Sequence, residues 1–390
     1  MSVQKKPLAQ NHHEHICLPW LWPVCAMQMA QSDPSCTMGK HLLNNGILDP
    51  LNFLKFTKEA YKIDHELTPI WATENTIKLD LKTMRLRHFS TKDAKGIPVI
   101  IDAPYAGHSS TIADYSADQS LVRTLKKNGV GNIYVTDWKS ATDDMKHFTI
   151  DTYLHDLDQA IDAVGGKAHL IGLCQGGWLS AACAARFPGK VCTLVLAGVP
   201  IDADAGDGAV KKLAHTLPMS FYHELVKAGN GRLLGKVMLA SWKGMNPTDQ
   251  YFKKYIDLFT HIEDKDYLKR TEEFSRWYET PLDLPGTYYL QAVEWIFKEN
   301  RLAKGKFVAL EKTISLKNIT IPVYLLGGDA DDITPSVQVF NAEFYLGTPK
   351  IDIVKKEVQG GHIGLFMGRK TLQDTWPEIS KWILSHNEDV

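Results

Sequence analysis

Residues His169 to Lys190 read HLIGLCQGGWLSAACAARFPGK. An apolar run closes on Gly172-Leu173-Cys174-Gln175-Gly176-Gly177 and passes straight into an alanine-rich amphipathic segment. A strand, a sharp turn with glycines two residues before and two after its centre, and then a helix form the pattern of a nucleophile elbow. Gly172 and Gly176 are required because side chains in so tight a turn would collide with neighbouring chain. The turn lifts Cys174 above a sheet edge, at the positive end of the following helix, a location that favours a thiolate. It also leaves the backbone N–H of Gln175 facing a developing oxyanion. Neither a GxGxxG nor a Walker pattern accompanies these glycines, and Cys183 and Cys192 read as core residues.

Outward from the elbow, strands and helices alternate. IKLDLKTMRLRHF (77–89) switches between apolar and polar residues and predicts a hairpin turned near Lys82-Thr83. IPVIIDAP (97–104) is a buried β-branched strand. A helix over 116–127, a strand over 132–138, a helix near 150–164, the elbow strand 168–173 with its helix, and a strand over 191–197 follow. From about 203 to 305 the pattern becomes helical and rich in aromatic rings, among them Trp242, Tyr255, Trp277, Tyr288 and Phe297. Strand patterns resume at 321–332 and 350–358, and a helix through Trp376–Leu384 closes the chain. The expected fold is α/β: a doubly wound, mostly parallel sheet with a helical cap inserted late, the layout of an α/β-hydrolase. The expected division is an N-terminal segment (1–75) packing on the body, a core (76–202 and 306–390) and a cap (203–305).

A nucleophilic cysteine needs a base and an orienting acid, which follow it in the chain order of this fold. GGDADDITP offers Asp329, Asp331 and Asp332 just after a buried strand. The first acid of Asp331-Asp332-Ile333 holds the usual triad position, with Asp332 in reserve. Of fifteen histidines, His362 in QGGHIGLFMG lies on a glycine-rich loop after the last strand, where a triad histidine falls. The loop after IPVIIDAP should supply the second oxyanion donor, Ala106 N–H, with Tyr105 next. Tyr105, His108 and Trp178 are the candidate substrate contacts, His108 also being readable as a second acid–base group or as a packing residue.

Composition narrows the alternatives. Forty-four basic and 45 acidic residues nearly cancel, which argues against a nucleic-acid partner. The six cysteines, at 17, 25, 36, 174, 183 and 192, form no CxxC pair and fit free thiols in a reducing cytoplasm. No HExxH or similar cluster supports a metal, and HHEHIC (12–17) alone is a weak signal. The stretch ICLPWLWPVCAMQMA (16–30) is broken by Pro19 and Pro23 and is too short to span a membrane. Its Trp20 and Trp22 are expected either to pack on the body or to touch an apolar surface.

GLCQGGW, GGDADDITP and GGHIGLFMG together resemble the clan of polyhydroxyalkanoate synthases and intracellular depolymerases, α/β-hydrolases with a cysteine nucleophile. The resemblance runs from about Asn75 to the end and maps nucleophile, acid and base onto Cys174, Asp331 and His362. DYSADQSLVRTLKKNG and SLKNITIPV look like the short synthases. APYAGH, YVTDW and LDLPGTYYLQAVEWIFKENRLAKG look like the intracellular polyhydroxybutyrate depolymerases, and the length of the last stretch favours them. Synthases commonly carry a histidine after the triad acid, where this chain has Asp332. Depolymerases often lack the second elbow glycine, kept here as Gly177. Uncharacterised relatives share the CQGGW elbow, whereas dienelactone hydrolases are shorter and lack the cap. The resemblance implies a depolymerase, with polymerisation of 3-hydroxyacyl-CoA as the alternative and a non-catalytic granule-binding protein as a rival of another class. It implies no bound cofactor, coenzyme A as an alternative acyl acceptor, the polymer or its oligomers as partner, a cytoplasmic or granule-surface location and a homodimer as assembly.

Overall fold

A computed structural model describes residues 49–90 and 94–387. The expectations for HHEHIC, Trp20, Trp22, Cys17, Cys25 and Cys36 lie outside the described residues. Eight strands form one sheet: β1 (Thr76–Asp80), β2 (Met84–His88), β3 (Val99–Asp102), β4 (Ile133–Trp138), β5 (Ala168–Leu173), β6 (Val191–Ala197), β7 (Val323–Gly328) and β8 (Ile353–Val358). Their order is β1-β2-β4-β3-β5-β6-β7-β8. β2 is antiparallel to both neighbours, and every pairing from β4 to β8 is parallel. This is the α/β-hydrolase sheet. The helices used below are α1 (Pro50–His65), α2 (Leu121–Lys127), α3 (Ile150–Ala163), α4 (Gln175–Arg186), α5 (Gly235–Met245), α6 (Gly286–Gln291) and α7 (Trp376–Ser385).

The sequence explains the layering. β3, β4, β5 and β7 are buried along their whole length, and β6 at every residue but Cys192, as their mostly apolar, β-branched runs require when both faces are covered. β2 alternates, with Met84 and Leu86 inward, and Leu81 N–H closes its hairpin on Met84 O. Right-handed crossovers place α2 on one face and α3 and α4 on the other, because the path from β3 to β4 runs opposite to the path from β4 through β5 to β6. That reversal makes β3 and β5 a switch point, where doubly wound sheets bind ligands at the carboxyl ends of their strands. α2 begins at Leu121, not near 116, because Ser120 caps it: its hydroxyl accepts from Arg123 N–H. Such a cap contributes about 1 kcal/mol.

The long connection from β6 to β7 is mostly helical, as expected, apart from two two-residue strand pairs, Arg232–Leu233 with Leu284–Pro285 and Val308–Ala309 with Lys312–Thr313. The chain forms two compact units, one of residues up to Glu66 with Asn246–Thr271, the other of Leu67–Met245 with the chain from Glu272 onward. Compactness therefore divides the 203–305 insertion instead of setting it apart, and ties α1 to its middle. In the first unit Asp49 caps α1, Phe56 meets Phe259 edge-on at 5.6 Å, and Asp64 accepts from Tyr255 Oη at 2.7 Å. Among the described residues no helix is long and apolar enough to cross a membrane.

Candidate active site

Cys174 stands between β5 and α4 with φ 49° and ψ −116°, a conformation that costs a non-glycine residue roughly 1–3 kcal/mol. Packing on every side holds it there. A Cβ on Gly172 would overlap Gly177 Cα, one on Gly176 would strike Asp102 O, and one on Gly177 would strike Val199. The second elbow glycine is thus a packing requirement of this chain, set by a valine beyond β6. Cys174 N–H donates to Ala197 O at 2.9 Å, and its carbonyl accepts from Gly177 N–H at 3.0 Å.

The expected acid and base arrive from the ends of β7 and β8. His362 Nδ1 lies 2.7 Å from Asp331 Oδ2, and Cys174 lies near enough to act on the imidazole. Asp331 is a buried carboxylate whose Oδ1 accepts from Ile333 N–H at 3.1 Å and Thr334 N–H at 2.9 Å. Burial pulls the His362 pKa down, but Cys174 and Asp331 together outweigh it and raise it to about 10. At neutral pH the proton therefore rests on the imidazole. The other acids of this loop do different work. Asp329 Oδ1 accepts from Gly360 N–H, bracing the two loops, and Asp332 points outward while its carbonyl accepts from Ala209 N–H.

Thr334 has a place that its motif did not disclose. Its hydroxyl lies 3.0 Å from Gly198 O, 3.0 Å from His362 Nδ1 and 3.2 Å from Asp331 Oδ2, joining acid and base to the loop after β6. The Asp-x-x-Thr spacing, in which a carboxylate accepts from the backbone three residues on, was the only signal for it.

The loop after β3 departs from expectation at two residues. Tyr105 is buried: its hydroxyl lies 2.9 Å from Lys139 O and 3.2 Å from Asp283 O, and its ring stacks on Tyr153. His108 Nε2 is 3.1 Å from Tyr278 O, and its ring stacks on Tyr278. Burial pulls the His108 pKa down to about 4, so it is a neutral packing residue. Trp178 is fully buried against Tyr288 and Phe307. Tyr105 and Trp178 are therefore corrected from substrate contacts to core. Ala106 does lie on the expected loop, where its carbonyl accepts from Trp242 Nε1 of α5 at 3.2 Å. Beneath the loop, Asp102 accepts from Thr136 and Ser180 hydroxyls at 3.0 Å each, tying the end of β3 to β4 and α4. Burial pushes the Asp102 carboxyl up to about 8.

Gln175 borders a partly open, apolar cavity of about 80 Å³, with Tyr288 and residues of α5 in its walls. Among the described residues no group of three or more metal-ligating side chains is assembled.

Residues 75–382 match the family model described as "Protein of unknown function (DUF3141)". The chain belongs to this family. The DUF3141 chain is also 25% identical to the poly(3-hydroxyalkanoate) polymerase subunit PhaC of Haloferax mediterranei over 81% of its own length, and spans 65% of that relative. It is 24% identical to the same-named subunit of Allochromatium vinosum, over 83% of this chain and 90% of that one. Among solved structures it is similar to Bacillus megaterium epoxide hydrolase (TM-score 0.49, 13% identity, 80% of this chain and 99% of that one). It is likewise similar to a Paleococcus ferrophilus monoacylglycerol lipase (TM-score 0.46, 18% identity, 75% and 96%). Both sequence relatives carry the name of a polymerase, the alternative expectation, and not of a depolymerase.

Proposed function

We propose that this chain is an acyltransferase that carries a 3-hydroxyacyl group as a thioester on Cys174 and passes it to the hydroxyl of a growing polyester. The observation that carries the reading is the convergence of Cys174, at a nucleophile elbow, with His362 and its 2.7 Å bond to Asp331. The polymerase names of the relatives support the direction of the reaction.

In this reading Cys174 Sγ attacks the thioester carbonyl of a hydroxyacyl-CoA. Gln175 and Ala106 N–H groups receive the oxyanion, each worth ~3–4 kcal/mol of transition-state stabilisation. The carbon–sulfur bond to coenzyme A breaks, and the leaving thiolate takes the His362 proton. A hydroxyl at the end of the polymer then gives its proton to His362 and attacks the Cys174 thioester, forming the ester and freeing the cysteine. A thiol suits this exchange because donor and intermediate are both thioesters of similar energy. With water as the second acceptor the same steps release a hydroxy acid, the depolymerase reading favoured by the resemblance of LDLPGTYYLQAVEWIFKENRLAKG.

Feeding 3-hydroxybutyryl-CoA tests the choice. Free coenzyme A together with polymer supports the transferase. Inertness toward the thioester, with soluble hydroxybutyrate released from amorphous polymer, would sink it in favour of hydrolysis. A Cys174→Ala variant that keeps full activity would show that Cys174 is not the nucleophile, and a parent inert toward both thioester and polymer would leave only a non-catalytic, granule-binding role.

A further inference from the structure

We infer that the cavity beside Gln175 is an acyl-chain pocket that takes the tail of a 3-hydroxyacyl group several carbons longer than hydroxybutyrate. The inference rests on the thioester reading above and names its substrate class.

Position is the first argument. One expected oxyanion donor, Gln175, borders the cavity, and the other, Ala106, is bonded to its wall. Gln175 lines it directly, Trp242 lines it while donating to Ala106 O, and Met238 lines it while its side chain packs against Gly107. Gly107 holds φ 90°, and a Cβ there would run into Met238 Cγ. A carbonyl held between the two N–H groups has its substituent at the mouth of this space.

Chemistry is the second. No charged residue lines the cavity, and Val210, Leu213, Ala214, Met245, Val293 and Phe297 present only carbon and sulfur. The polar groups of its walls are mostly engaged with the protein. The Tyr222 hydroxyl lies 3.2 Å from Leu213 O and Ser241 Oγ 3.1 Å from Val237 O, while Trp242 Nε1 serves Ala106. A pantetheine arm or phosphate would find nothing to replace its water, whereas an alkyl chain loses nothing on entry. Two methionines in the wall add adaptability to tails of different length.

The third argument is Tyr288. It is buried, lies close enough to feel the charge of Cys174, and its hydroxyl has no hydrogen bond among the described residues. Burial keeps this phenol protonated, so it offers one donor near the head of the pocket. A 3-hydroxyl, two carbons from the reacting carbonyl, is the group an acyl chain would present to it.

The test is a ladder of 3-hydroxybutyryl-, 3-hydroxyhexanoyl-, 3-hydroxyoctanoyl- and 3-hydroxydecanoyl-CoA. Acylation of Cys174 is followed by intact mass and coenzyme A release. The expected kcat/KM rises about fourfold per methylene that reaches the pocket. Val293→Phe, and Leu213→Trp at the more exposed rim, should each lower the decanoyl-to-butyryl ratio by tenfold or more. A ladder that falls from butyryl onward, or a ratio unmoved in whichever variant folds, overturns the pocket while leaving the thioester intact. No adduct from any of the four substrates overturns the thioester reading and the pocket with it.

Discussion

At the elbow, three glycines within six residues bring backbone against backbone, and both main-chain groups of Cys174 are paired. The cavity wall beside Gln175 is made the other way, from long side chains of helices in the insertion, with a phenol hydroxyl that is unpaired among the described residues. The first region cannot shift without steric overlap. The second can repack, because methionine and leucine rotamers change at little cost. Chemistry that must be held to within a fraction of an ångström sits on the rigid side, and recognition of a variable chain sits on the adaptable one.

Removing the nucleophile is the largest expected effect. Cys174→Ala should abolish acylation, a loss of at least ~10⁴-fold in kcat, with the melting temperature unchanged because alanine keeps the same Cβ at this backbone conformation. Asp331→Asn follows, with about 10²–10⁴-fold lost in kcat. It removes one of the two charges that hold the proton on His362, so activity should be lost at lower pH than in the parent, whose imidazolium persists to about 10. Coincident pH–rate profiles would show that Asp331 does not set the charge of His362.

Gly177→Ala tests the rigid side directly. The new methyl meets Val199, and overpacking of this kind costs about 1–3 kcal/mol. The paired change Gly177→Ala with Val199→Ala should recover most of that loss in denaturant melts. If the single variant is as stable as the parent, the elbow is less tightly packed than its geometry implies.

What the sequence disclosed divides along the same line. The elbow, the order of nucleophile, acid and base, and the strands β3 to β8 were legible because local glycine spacing and β-branched runs dictate them. Asp331 was set apart from Asp329 and Asp332 by motif position alone, and it is the acid of the three that lies against His362 Nδ1. Contacts made across long stretches of chain were not legible. Trp242 reaches Ala106 from 136 residues away, and Thr334 reaches Gly198 O from the same separation. Tyr105 and Trp178 were misplaced for a related reason. Nearness to the motif marks a residue as close to the site in sequence, while β-sheet and helix geometry decide which way it faces. Trp178 faces Phe307, a residue no local pattern connects to it.

Asp102, which ties the end of β3 to β4 and α4, gives a pH-dependent effect on folding. Its native pKa of about 8 lies above the ordinary 3.8, so the native state holds a proton that the unfolded chain releases. Its contribution is fully present below pH 3.8 and is lost as pH rises to about 8, on the order of 5 kcal/mol if uncompensated. Asp102→Asn should flatten the fall in stability between pH 4 and 9, read from urea midpoints across that range. An equally steep fall in the variant would place the titrating group elsewhere.

Trp242→Phe is the gentlest probe and bears most directly on how the two regions meet. It keeps the ring that lines the cavity but removes the Nε1 donor to Ala106 O, a bond worth about 0.5–1.5 kcal/mol. If α5 steadies the oxyanion loop through that bond, kcat should fall roughly 2- to 10-fold while KM and the order of preference among acyl lengths stay as they were. If KM rises and kcat holds, Trp242 acts only as wall, and the loop after β3 takes its shape from Tyr105, Asp102 and Thr136 without help from the insertion.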